Sequence, residues 1–84
     1  MPRVRLDSSL LAFAEYHSGR RLLDVEFTSG ELYRYFQVPR ECYRELLKAE
    51  SKGVFFDRFI RDCYPYQHVS GRASPVVLSA GRTK

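Results

Sequence analysis

Between Leu22 and Phe36 the chain alternates apolar and polar side chains on either side of a short Thr28-Ser29-Gly30 interruption. Leu23, Val25 and Phe27 point one way and Asp24 and Glu26 the other, which is the period of a half-buried strand. A loop of three residues with Gly30 left-handed pairs Phe27 with Glu31, Val25 with Tyr33 and Leu23 with Tyr35. That register sets Arg34 opposite Asp24 on the outer face. A loop of two residues would put Arg34 beside Val25 in the core, so the longer loop is preferred. A further strand is expected before this hairpin, from Leu10 to Tyr16, although its alternation is imperfect. His17-Ser18-Gly19-Arg20 supplies the turn after it.

The second half changes period. Pro39 suits the first turn of a helix reaching Ala49, with Cys42, Tyr43, Leu46 and Leu47 on one stripe. Ser51 is a good N-cap for a second helix, where Phe56, Phe59, Ile60 and Cys63 recur at helical spacing until Pro65 forbids continuation. The expected fold is therefore α+β: a three-stranded antiparallel β-meander followed by two short amphipathic helices packed on one face. Tyr66 to Val69 is a candidate short C-terminal edge strand.

A chain of 84 residues supports one core, since a domain of that size buries only about 60% of the surface its unfolded form exposes. Six Phe and six Tyr supply enough bulk to close that core without a metal or a disulfide. No apolar run approaches a membrane span and the N-terminal stretch does not read as a secretory signal, so a cytoplasmic setting with Cys42 and Cys63 as reduced thiols is expected. Residues 1–69 carry 11 basic and 10 acidic side chains; Arg72, Arg82 and Lys84 complete the net charge of +4. Residues 1–7 read as an N-terminal arm, 8–69 as the domain and 70–84 as a disordered basic tail.

Ser8-Ser9, Leu23-x-Val25-x-Phe27, Gly30, Tyr33-Arg34-Tyr35, Val38-Pro39, Ser51-Lys52-Gly53, Phe56, Ile60-Arg61 and Tyr64-Pro65-Tyr66 together resemble the KTSC domain family. The family takes its name from the C-terminus of some lysyl-tRNA synthetases and also exists as small standalone bacterial proteins. The resemblance spans 8–69, with Glu50 standing where Pro is common. It implies a small bacterial-type domain, a suggested link to RNA through the synthetases, and no established enzymatic role.

Tyr33 and Tyr35 share one strand face, the spacing at which sheet-based RNA binders stack bases, with Arg34 available to phosphate from the other side. Packing of both rings under the helices is the plainer reading and the preferred one. Ser51, Lys52 and Gly53 open a helix, where free N–H groups attract an anion; capping alone also explains Ser51. Arg58 and Arg61 lie off the apolar stripe and could join Lys52 in a basic patch, against the plainer reading of solvated helix charges. Cys42, Cys63, His17 and His68 fit no zinc spacing, so neither metal nor cofactor is expected. Nothing orients Ser8, Ser9, His17 or His68 as a nucleophile and base, and Glu41 and Glu45 read as surface partners of Arg44 and Lys48. Two function classes stay open: a noncatalytic module that binds RNA or another polyanion weakly, and a protein interaction module, as a homodimer or with a partner, working through an exposed strand edge or an uncovered apolar patch.

Overall fold

The computed structural model describes residues 2–69 and 76–78. Eight elements follow in order: β1 (Val4–Arg5), β2 (Leu11–His17), β3 (Leu22–Phe27), β4 (Leu32–Tyr35), α1 (Arg40–Lys48), α2 (Lys52–Phe59), β5 (Tyr66–Val69) and β6 (Val76–Leu78). The strands form a single sheet in sequence order with every neighbour antiparallel. The α+β class and the meander β2-β3-β4 stand as expected, but three strands understate the sheet.

Each addition covers a strand that would otherwise leave a row of unpaired backbone groups. Val4–Arg5 lies along β2 with Val4 opposite Ala14, and Leu6 is buried, so the N-terminal arm belongs to the sheet and to the core. Tyr66–Val69 runs along β4 and is flanked on its other side by β6, so it is an interior strand and not an edge. Of the residues 70–84 read as a disordered tail, only Val76–Leu78 fall within the described part, as β6; the others lie outside it.

The hairpin has the three-residue register. Gly30 takes φ 101°, its N–H donates to the Phe27 carbonyl at 2.8 Å, and Leu23, Asp24 and Val25 face Tyr35, Arg34 and Tyr33. Strand β2 alternates imperfectly because it is bulged: Leu11 pairs with Phe27 but Phe13 with Glu26. The extra residue changes the strand's phase, so that Leu11, Ala14 and Tyr16 all reach the core.

Both helices cover the face that carries Tyr16, Leu23, Val25, Phe27 and Tyr35. From α1, Tyr43 and Leu46 are buried, and the Tyr43 ring stacks on Tyr16 at 5.1 Å between centroids. Tyr16 Oη donates to the Val38 carbonyl at 2.6 Å, whereas Tyr43 Oη is buried without a partner among the described residues. From α2, Phe56 meets Phe27 and Tyr35 edge-to-face at 5.4 and 5.5 Å. The apolar stripe expected to continue to Cys63 stops at Ile60. There the Ile60 and Arg61 N–H groups both bond the Phe56 carbonyl, and Ile60 leaves helical geometry at φ −123°, ψ −48°. Phe59 therefore faces outward at 52% exposure, and Cys63 is exposed in the following turn. No helix among the described residues is long and apolar enough to cross a membrane.

Phe56→Ala should cost about 3 to 5 kcal/mol in urea unfolding, because the ring is fully buried and packs edge-to-face on both Phe27 and Tyr35. Tyr43→Phe should be neutral or stabilising by up to about 1 kcal/mol in the same measurement, since it removes a buried hydroxyl that bonds to nothing among the described residues.

A candidate ligand cleft beside the hairpin

The residues expected to form an anion site at the start of α2 are occupied locally. Ser51 Oγ accepts from the Val54 N–H at 3.3 Å, as an N-cap does, and Lys52 Nζ donates to the Ala49 carbonyl at 2.9 Å. A Cβ on Gly53 would stand 3.5 Å from Leu10 Cβ and 3.6 Å from Ser8 Oγ, ordinary contact distances, so neither close packing nor an anion explains the glycine here. Arg58 is exposed in the last turn of α2.

Arg34 is also committed, on the sheet face opposite α1 and α2. Its Nε and Nη2 donate to the two carboxylate oxygens of Asp24 at 2.8 and 3.0 Å, a fork that fixes the guanidinium across β3 and β4. His17 Nε2 approaches Asp24 Oδ2 at 3.1 Å from β2. Further along the same face Arg3 pairs with Glu26 and lies 4.0 Å over the Phe13 ring. Arg34 and Arg61 thus belong to opposite sides of the sheet, and the proposed basic residues do not converge.

Tyr33 and Tyr35, read as one pair, part company. Tyr35 is buried against Phe56, while Tyr33 is half-exposed beside a cleft of about 220 Å³. Phe27, Tyr33, Tyr35 and Tyr66 supply the aromatic part of the cleft, Ser29 and Glu31 come from the hairpin loop, and Arg61 and Asp62 from the turn after α2. The opening exists because α2 ends at Phe59, short of the outer part of β4 and β5. Tyr33 and Tyr66 are 5.7 Å apart and Tyr35 and Tyr66 5.5 Å, so the rings form one continuous aromatic surface.

The polar groups around that surface are of both signs. Arg61 Nη1 pairs with Asp57, one helical turn back, and its side chain is 51% exposed, leaving other guanidinium donors free. That pairing holds the Arg61 guanidinium above its ordinary range. Burial pushes the Tyr35 hydroxyl well above the ordinary phenol value, and burial together with the Glu31 charge raises Tyr33 against the opposing charge of Arg61. Both hydroxyls therefore stay protonated near neutrality and can donate as well as accept.

His68 extends the surface. Its ring stacks on Tyr33 at 4.6 Å, and its Nε2 is buried 3.5 Å from Glu31 Oε1 without making a full hydrogen bond. The sequence reading missed the pairing of His68 with Tyr33, which is 35 positions away. The available signal was Tyr66-x-His68, two rings at strand spacing directly after Pro65, matching Tyr33-x-Tyr35 on the neighbouring strand.

The KTSC domain model matches residues 7–69. The chain is 36% identical over 69 residues to a lysine–tRNA ligase of Trichormus variabilis, covering 82% of this chain but 12% of the ligase. It is 44% identical over 61 residues to an uncharacterized protein of Stutzerimonas stutzeri, covering 73% of this chain and 86% of that one. The crystal structure of a KTSC domain protein from Yersinia pestis superimposes with a TM-score of 0.77 at 28% identity, over 82% of this chain and 97% of the other.

Burial acts to raise the Asp24 carboxyl, but hydrogen bonds from Arg34 and His17 outweigh it and hold the group below 3.8. A carboxyl lowered by folding stabilises the fold above its unfolded value, and that contribution is lost as pH falls through the lower folded value. Thermal midpoints measured from pH 7 to pH 2 should therefore fall more steeply below about pH 4 for the natural chain than for Asp24→Asn. Equal slopes would show that the pair contributes nothing.

Proposed function

The chain belongs to the KTSC domain family, and from that premise we propose that it is a noncatalytic binding module that holds single-stranded RNA weakly in the cytoplasm. The observation that carries the reading is the cleft, where half-buried Tyr33 and Tyr66 stand beside the exposed guanidinium of Arg61. Aromatic faces hold unstacked bases, and an arginine next to them can meet the adjoining phosphate. The similarity to lysine–tRNA ligases, whose name includes an RNA substrate, supports this choice of partner. Weak binding follows from dispersed charge: Arg34 is bound to Asp24 and Lys52 to a carbonyl, leaving Arg61 as the basic side chain at the cleft among the described residues.

With one or two phosphates engaged, affinity for a short single strand should fall about three- to sevenfold between 50 and 200 mM salt. Arg61→Ala and Tyr33→Leu should each weaken binding about tenfold in a fluorescence-anisotropy titration without loss of the folded circular-dichroism spectrum. Absence of saturable, salt-sensitive binding to single strands and to transfer RNA would sink the reading.

One observation favours a second reading. Val54 and Phe59 are 55% and 52% exposed, and Phe59 lies 4.8 Å from the Phe55 ring, which gives α2 an apolar outer side suited to self-association. Light scattering checks it: a dimer that Phe59→Glu converts to monomer supports a homodimer, and a monomer at high concentration rejects it.

A further inference from the structure

A site built only to hold phosphate would not place carboxylates at its mouth. Glu31 and Asp62 border the cleft, and Glu31 is 52% exposed and makes no full hydrogen bond to His68. Beside them are the protonated hydroxyls of Tyr33 and Tyr35 and the exposed Arg61. The mouth of the cleft therefore offers acceptors above an aromatic floor, with positive charge supplied by Arg61. The space, about 220 Å³, lies below the roughly 300 to 1,000 Å³ of sites for drug-sized ligands and suits one small ring system.

We propose that the cleft takes a single unpaired nucleobase with an exocyclic amino group, cytosine being the simplest, whose amino group donates to Glu31 or Asp62. This rests on the RNA reading and names what that site selects. The base ring would lie against Tyr33 and Tyr66. Its edge would present N–H donors to the carboxylates, and the attached phosphate would stay outside, within reach of Arg61. Uracil has nearly the same size and stacking face but carries a carbonyl oxygen where cytosine has the amino group, so it would set oxygen against a carboxylate. Duplex RNA presents no free base face and would not enter.

The test compares the mononucleotides CMP and UMP as competitors of a labelled single-stranded RNA, with amide and tyrosine-ring shifts followed by NMR in parallel titrations. CMP should displace the RNA about tenfold more effectively than UMP, the scale of one charge-assisted hydrogen bond. Its shifts should centre on residues 27–35, Arg61, Asp62 and Tyr66. The double substitution Glu31→Ala and Asp62→Ala should bring CMP to the level of UMP while the melting temperature holds, because both side chains are exposed. Equal competition by UMP, shifts centred elsewhere, or discrimination that survives the double substitution would overturn the proposal. RNA that binds saturably but is not displaced by CMP overturns the base pocket alone. RNA that fails to bind while CMP still outperforms UMP in the shifts overturns the RNA reading and leaves the pocket's selectivity in place.

Discussion

The register of the hairpin around Gly30 governs everything downstream, because a slip of one residue would exchange the two faces of β4. With Gly30 at φ 101° the loop closes on three residues, and Leu23, Val25, Phe27, Tyr33 and Tyr35 share one side. The same geometry brings Asp24 and Arg34 together on the other, where their forked contact resists the slip. In the slipped register Arg34 would enter the apolar layer and Asp24 would lose its partner, so polar and apolar faces specify the same alignment.

Given that face, the helices are constrained by bulk. Tyr43 stacked on Tyr16 holds α1 over β2 and β3, and Phe56 between Phe27 and Tyr35 holds α2 over the hairpin. At Gly53 α2 passes Ser8 and Leu10 at a separation where an added Cβ would make ordinary van der Waals contact, so the approach does not depend on a glycine. An eight-residue helix anchored by Phe56 and Ile60 cannot also roof Tyr33, Tyr66 and His68. Those rings are consequently covered on one side by the sheet and by each other while their remaining faces line a cleft.

Elements with strong local signals were legible in the sequence: the β3–β4 register, the Ser51 cap, the Tyr43–Leu46 stripe and the family. What escaped notice depends on distant pairing. Val4–Arg5 is two residues long and has no period to detect; its place follows from the free edge of β2. The bulge after Leu11 blurred the alternation of β2, since three core residues at uneven spacing match neither template. Phe59 fits a helical stripe on paper yet faces water, because α2 ends there and Ile60 takes the buried place. For the candidate site, Tyr33 and Arg61 were named but for different surfaces. Their meeting depends on where α2 stops, which propensity marks poorly, and His68 joins them only through the β4–β5 pairing.

The separation of charge from the helix N-terminus bears on what kind of recognition this domain can perform. A polyanion held by backbone phosphates needs several unpaired cations along a track, and here Arg34, Lys52 and Arg61 each already contact a neighbour. Only Arg61 does so beside an aromatic surface with spare donors and carboxylates at its rim. Affinity at such a place comes mostly from stacking and from the base edge, with phosphate in a secondary role. On the proposed reading, a module of that kind would add selectivity for an unpaired base, and its modest intrinsic affinity would become useful where linkage to an RNA-binding unit raises the effective concentration.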